Sequence, residues 1–75
     1  MRRSPAQLYR VEVHDGRRNV ASGEMTLDNP KDPFEVQHAA SVISRSRNRD
    51  LESGWRIRVS ETTGWQHRIF EMRKV

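Results

Sequence analysis

The chain has 75 residues, of which 33% are hydrophobic and 32% charged, with no cysteine and a formal net charge of +4. A chain this short buries only about 60% of the surface that its unfolded form exposes, which favours one domain over residues 1–75 without a large internal cavity. Lacking cysteine, it cannot form disulfides, thiolate zinc sites or a cysteine nucleophile. Because no apolar run nears the roughly 20 residues that cross a bilayer, we expect a cytoplasmic protein without a membrane partner.

The first third of the chain predicts a β-hairpin. Residues 1–6 are basic and small and should be flexible, whereas residues 8–14 alternate in the manner of a half-buried strand. Asp15-Gly16 is a turn signal, after which alternation resumes in residues 19–28. Gly23 within the second strand indicates a bulge or a close backbone approach. Tyr9, Val11 and Val13 share one face of the first strand, and Ala21, Met25 and Leu27 share one side of the second.

The middle of the chain predicts one helix. Asp32 can cap it, Pro33 suits its first position, and Glu35 can reach back to the Asp32 amide in a capping box. Arg45 and Arg47 would lie in the last turn, where cations complement the helix dipole. An apolar stripe at helical spacing comprises Val36, Ala39, Ala40, Val42 and Ile43.

The last third predicts a second hairpin, in which Trp55, Ile57 and Val59 share one face. A loop at Thr63-Gly64 would set three pairs opposite each other: Phe70 with Ile57, Met72 with Trp55, and Glu71 with Arg56. A loop one residue longer would instead turn His67 and Ile69 inward. We prefer the first register because it buries more apolar surface and places opposite charges together.

These elements predict an α+β fold of order β-β-α-β-β, with an antiparallel sheet and one helix packed on one of its faces. The expected core comprises Tyr9, Val11, Val13, Met25, Leu27, Val36, Ala40, Ile43, Trp55, Ile57, Val59, Phe70 and Met72, with Phe34 and Leu51 at its edges. The other sheet face would be uncovered and would show Arg10, Glu12, His14, Arg56, Arg58, Glu71 and Ile69.

The sequence offers little catalytic chemistry. Its three histidines, at positions 14, 38 and 67, fall on three different predicted elements, and none has a second ligand at a metal-binding spacing. Ser41 and His38 are only surface neighbours on a helix, without an oxyanion pocket. The Asp-Pro entrance of the helix is acidic and lacks one amide, which disfavours phosphate there. We therefore predict a non-catalytic protein with no cofactor and no metal site.

Two kinds of binding remain. Twelve of the 14 basic residues are arginines, whose planar group can grip phosphate or carboxylate with two bonds. This bias suits nucleic acid or an acidic protein surface, although a GC-rich genome would also produce it, and helix-end and strand arginines are often simply solvated. The open face lacks the row of aromatic residues on which single-stranded bases stack. Trp65 is either an interface residue beside the arginines or a lid over the sheet edge.

The segments YRVEVHDG (9–16), QHAASVIS (37–44) and SGWRIRVSETTG (53–64) resemble a family of short alphaproteobacterial proteins of unknown function. That resemblance covers about half of the chain and implies a fold rather than an activity. In size, charge, lack of cysteine and layout the chain also resembles phage anti-CRISPR proteins. This second resemblance implies a small inhibitor that occupies a surface of a nucleoprotein complex and blocks recruitment of DNA or a nuclease.

The leading hypothesis is therefore a protein-binding module from a phage or mobile element, acting on a bacterial protein or nucleoprotein complex. The alternative is a small basic nucleic-acid-binding protein or regulatory protein. Either would be a monomer or a homodimer, since a lean core and two edge strands permit both. The candidate contact residues are Arg17, Arg18, Arg45, Arg47, Arg49, Arg56, Arg58, Trp65 and Arg68.

Overall fold

The computed structural model describes residues 7–62 and 67–75. The elements are β1 (Gln7–His14), β2 (Asn19–Leu27), α1 (Pro33–Arg45), β3 (Arg56–Glu61) and β4 (Arg68–Arg73). All strand pairs are antiparallel and lie in the order β2-β1-β3-β4, which confirms the predicted α+β class and β-β-α-β-β order. The predictions for residues 1–6, the Thr63-Gly64 loop and Trp65 concern positions outside the described residues. Within the described residues, no helix has the length and apolar character needed to cross a membrane.

The first hairpin closes through a turn held by Asp15. The Asp15 amide donates to the Arg18 carbonyl at 3.2 Å. The Asp15 carboxylate accepts from the backbone amides of Arg17 at 2.9 Å and Arg18 at 3.1 Å. Gly16 supplies the positive φ of 101° that the turn requires. The side chain of Asp15 is therefore engaged by the backbone of its own turn.

Gly23 lies where the helix crosses the sheet. A Cβ atom built on it would be 3.5 Å from Cγ1 of Ile43, in the last turn of α1. The ladder is regular at Gly23, which pairs with Val11, and its irregularity falls between Val13 and His14 instead. Of the two sequence interpretations of Gly23, the bulge is wrong, and what approaches its backbone is the Ile43 side chain at ordinary contact distance.

The helix begins where the sequence predicts, but Glu35 acts differently. The Asp32 side chain accepts from the Phe34 amide at 3.0 Å, as an N-cap does. The predicted capping box is wrong, because the Asp32 amide already donates to the Asn29 carbonyl at 3.1 Å. The Glu35 carboxylate instead accepts from the amides of Asp28 at 2.7 Å and Asn29 at 2.8 Å. Glu35 thereby fastens the end of β2 to the start of α1.

The helix ends one residue before Ser46, so Arg47 is not in its last turn as predicted. The amides of Arg47 and Arg49 both donate to the Ser44 carbonyl at 3.0 Å. Between them, Asn48 takes a left-handed conformation with φ 59°. This closed turn stops the helix and holds the arginine-bearing segment in one shape.

The core follows the predicted strand faces more closely than the predicted helix face. Phe34 is 84% exposed and Val42 is 44% exposed, so their assignment to the core edge and the helix stripe is wrong. Both lie outside the buried side of the helix, which is formed by positions 36, 39, 40, 43 and 44, the last of them a serine. Tyr9, Met25, Leu51, Trp55, Phe70 and Met72 pack half-buried around the centre. The buried hydrophobic residues are Val11, Val13, Ala21, Leu27, Val36, Ala39, Ala40, Ile43, Ile57 and Val59.

The second hairpin has a register two residues away from the prediction. The pairs are Ile57 with Met72, Arg58 with Glu71, and Val59 with Phe70, followed by an irregularity before Ser60. Side chains alternate with a period of two, so this shift keeps Phe70 and Met72 on the helix side of the sheet. The predicted inward faces are confirmed, whereas the predicted partners are wrong.

The close approach at Gly23 makes a direct prediction. Gly23→Ala should be tolerated or stabilise the fold by about 0.5 kcal/mol, because its Cβ meets Ile43 at ordinary contact distance and restricts the unfolded chain. The added γ-carbons of Gly23→Val should collide with the helix and cost about 1–3 kcal/mol. Urea unfolding of both variants measures the difference, and equal stabilities would contradict the assigned packing.

Candidate binding surface

The face of the sheet opposite the helix is charged. It carries arginines from three strands and carboxylates between them, as the sequence predicts. Side chains at alternate positions of paired strands share a face, so the register places these residues side by side. We call this surface the outer face. Its principal charged members are Arg10, Glu12, His14, Glu24, Arg56, Arg58, Glu71 and Arg73.

Glu71 is the hub of the outer face. Its carboxylate lies 3.3 Å from Nε of Arg56, 3.3 Å from Nε of Arg58 and 2.6 Å from Nη1 of Arg68. Arg68 donates a hydrogen bond, whereas Nε of Arg58 lies close without hydrogen-bond geometry. Partial burial raises the pKa of Glu71, but the Arg68 hydrogen bond and the charges of Arg58, Arg68 and Arg56 outweigh it. The pKa of Glu71 is therefore held below its ordinary value.

Glu12 provides a second, looser centre beside it. Its carboxylate lies 3.5 Å from Nε of Arg10 and 3.9 Å from Nε2 of His14. Arg58 stands directly opposite Glu12 in the ladder between β1 and β3. Because carboxylates are interleaved with the guanidinium groups, most arginines of the outer face already have an anionic neighbour.

The remaining candidate arginines gather at one end of the molecule, which we call the basic end. It comprises Arg17 and Arg18 in the first turn together with Arg45, Arg47 and Arg49 at the close of the helix. The helix starts at the far end of β2, where Glu35 is fixed, and Ile43 lies over Gly23. It therefore runs back along β2 toward the first turn.

The Asp15 carboxylate lies near both turns of the basic end, the hairpin turn and the helix-terminal turn. Backbone hydrogen bonds from Arg17 and Arg18 lower the pKa of Asp15, and the charges of Arg18 and Arg49 lower it further. Arg49 belongs to the helix-terminal turn and Arg18 to the hairpin turn, so both turns face the same carboxylate. The guanidinium of Arg49 also lies over the ring of Trp55, 5.9 Å from its centre.

All five side chains of the basic end are exposed. Within residues 7–62 and 67–75, no ion pair includes any of them. Both turns that carry them are closed by backbone hydrogen bonds. Among the described residues, the basic end is therefore a set of cations without ion pairs on two hydrogen-bonded turns, whereas most arginines of the outer face lie beside Glu12 or Glu71.

The structure thus divides the predicted contact residues into two groups. Five form the basic end, three (Arg56, Arg58 and Arg68) surround Glu71, and Trp65 lies outside the described residues. Glu71 itself was expected to pair with one arginine only. Its contact with Arg68 depends on the irregularity before Ser60, because residues three apart on a regular strand face opposite sides of the sheet. No protein-family model, curated protein or solved structure matches the chain.

The lowered pKa of Glu71 predicts an acid-sensitive part of the stability. A carboxylate whose pKa falls on folding stabilises the fold fully above its unfolded pKa, near 4.5, and loses that contribution as the pH falls through the folded value. Glu71→Gln should cost about 1 kcal/mol at neutral pH. This gap should shrink as the pH drops below 4.5.

Thermal melting at a series of pH values tests this expectation. Glu24→Gln serves as the matched control, because Glu24 is exposed on the same face and belongs to no ion pair among the described residues. A difference between the wild type and Glu71→Gln that stays constant down to strongly acidic pH would contradict the role of Glu71 as hub.

Proposed function

We propose that the chain is a non-catalytic binding module that acts in the bacterial cytoplasm. Its basic end docks on an acidic or phosphate-bearing surface of a larger protein or nucleoprotein complex. The observation that carries this proposal is the grouping of five exposed, unpaired arginines on two closed turns at one end of the fold. Arginine is well suited to such a role because its fork grips carboxylate and phosphate alike.

The basic end is a better docking surface than the outer face for an energetic reason. Arg56, Arg58 and Arg68 share the carboxylate of Glu71, so an external anion would have to compete with that partner. Among the described residues no arginine of the basic end forms an ion pair, and the one carboxylate beside Arg18 and Arg49, that of Asp15, already accepts two backbone hydrogen bonds. Their turns are also ordered before binding, which reduces the entropy lost on association.

The form of the function that we favour is inhibition by surface occupation. The resemblance to phage anti-CRISPR proteins supports it in size, charge and layout, and a basic end would suit an acidic surface on such a complex, for example one that recruits a nuclease. In that form the chain mimics no substrate and performs no chemistry. It covers a surface that its target needs.

A second candidate function is direct binding of nucleic acid, which the unpaired arginines also favour. The outer face gives it little help, because the side chains of its described residues include no phenylalanine, tyrosine or tryptophan for base stacking. Phosphate contact would therefore be confined to the basic end. We accordingly place it second.

The proposal predicts that both turns contribute to binding. Arg45→Ala/Arg47→Ala and Arg17→Ala/Arg18→Ala should each weaken capture of the partner about tenfold or more without unfolding the chain, since each removes two charged contacts. Arg10→Ala/Lys31→Ala is the matched control, because it removes the same charge outside the basic end. Circular dichroism would verify that all three variants are folded.

The assay is affinity capture of the tagged protein from bacterial lysate, with and without nuclease, read by mass spectrometry. We expect one stoichiometric protein or complex that survives nuclease, is retained by the control and is lost by both basic-end variants. Equal retention by all variants would show that the basic end is not the docking surface. Capture that requires intact nucleic acid would favour the second candidate.

A further inference from the structure

The outer edge of β4 offers unpaired backbone groups. The Lys74 amide donates to the Trp55 carbonyl, and the Lys74 carbonyl accepts from the Gly54 amide, both at 2.9 Å. The backbone N–H and C=O of Lys74 therefore point toward β3. Because backbone groups alternate in direction along a strand, those of Glu71 and Arg73 point away from β3. β4 is the last strand of the sheet among residues 7–62 and 67–75, so these groups face an edge that no described strand covers.

The helix covers the sheet unevenly and leaves the same edge partly bare. It packs against β2, β1 and β3, and its main contacts do not extend to β4. Phe70 and Met72 are consequently half-buried, although they stand on the helix side and pack against the core. The rim of the molecule at β4 thus combines open backbone with incompletely covered apolar side chains.

If two copies of β4 pair side by side, one register places their opposite charges together. Arg73 lies directly opposite Arg56 in its own sheet, so two like charges are neighbours there. Glu71 stands two residues earlier on the same face of the same strand. A second β4 running antiparallel, with its two-fold axis at Met72, would bring a carboxylate beside each Arg73.

We propose that two copies of the chain pair through β4 to form a continuous eight-stranded sheet. In this dimer Glu71 lies opposite the partner's Arg73, and the symmetric pair repeats the contact. Both pairs use the outward backbone groups, which gives four hydrogen bonds between the subunits. On the helix side Met72 meets the partner's Met72, and Phe70 lies against the aliphatic stem of the partner's Lys74.

Neighbouring registers are less favourable on the same grounds. Side chains that pair across an antiparallel ladder share a face, so the two-fold axis must fall on a residue rather than between two. An axis at Glu71 would set two glutamates opposite each other, and an axis at Arg73 would set two arginines opposite each other. An axis at Phe70 would leave Glu71 opposite Ile69. Only the axis at Met72 places opposite charges together.

Disulfide trapping tests the interface and its register. The chain has no cysteine, so Met72→Cys introduces a single thiol. In the proposed dimer the two Cα atoms at position 72 form a non-hydrogen-bonded pair about 4.5 Å apart, within disulfide range. The control is Lys74→Cys, whose thiols would be separated by four residues of strand, about 13 Å. Mild oxidation should cross-link Met72→Cys readily and Lys74→Cys hardly at all.

A backbone variant provides an independent measurement. Arg73→Pro removes an outward amide that the monomer does not use, and an edge strand tolerates proline there. It should raise the dimer dissociation constant at least tenfold, because each subunit loses one hydrogen-bonding amide at the interface and the proline ring keeps the two strands apart. Arg73→Ala removes the charge but keeps the amide and should have a smaller effect. Sedimentation equilibrium over a dilution series measures all three proteins.

The outcomes separate cleanly. Concentration-dependent dimers that Arg73→Pro abolishes, together with selective cross-linking at position 72, support the proposal. A wild type that remains monomeric over the whole dilution series overturns the proposal. The edge of β4 would then be available to pair with a strand of another protein. Cross-linking of Lys74→Cys as fast as Met72→Cys overturns the register. These results do not depend on the basic end, so they stand apart from the proposed docking function.

Discussion

The packing of one short helix on one face of the sheet determines most of what this molecule can do. Helix α1 has 13 residues and approaches the sheet closely, with Ala39 and Ala40 buried on its sheet-facing side and Ile43 packed against Gly23. Small residues permit that approach, but a helix this size cannot cover four strands. In the part of the chain that the structure describes, the sheet therefore has a well-buried centre at β1 and β3, a half-covered rim at β4 and one face that no helix or strand covers.

The uncovered face is stable in water because its arginines lie beside carboxylates of the same face. Arginines from β3 and β4 converge on Glu71, and Arg10 lies near Glu12. Individual surface ion pairs contribute little, yet a shared carboxylate prevents several like charges from repelling one another. Among the described residues, the arginines at the basic end lack such partners, as does Arg73 at the edge of the sheet. The fold thus separates cations that stabilise it from cations that are free to bind something else.

Much of this architecture could be read from the sequence. Alternation fixed the inward faces of all four strands, and Asp32-Pro33 located the start of the helix, because both signals are local. The failures involve tertiary choices. Glu35 took two amides of the preceding loop instead of the Asp32 amide, and the second hairpin paired two residues away from the predicted register. The arginines were recognised as candidates, but their division into paired and unpaired groups required the positions of Glu71 and Asp15 in space.

The order of the strands also bears on how the chain reaches this structure. The β1–β2 hairpin and the helix fastened by Glu35 are built from contacts between residues close in sequence. The pairing of β1 with β3 instead joins Tyr9 to Glu61, which lie near opposite ends of the chain. Closing so long a loop is entropically costly and slow compared with forming a hairpin. We therefore expect the first hairpin and helix to form an early unit, and the centre of the sheet to be completed only when the second hairpin docks on it.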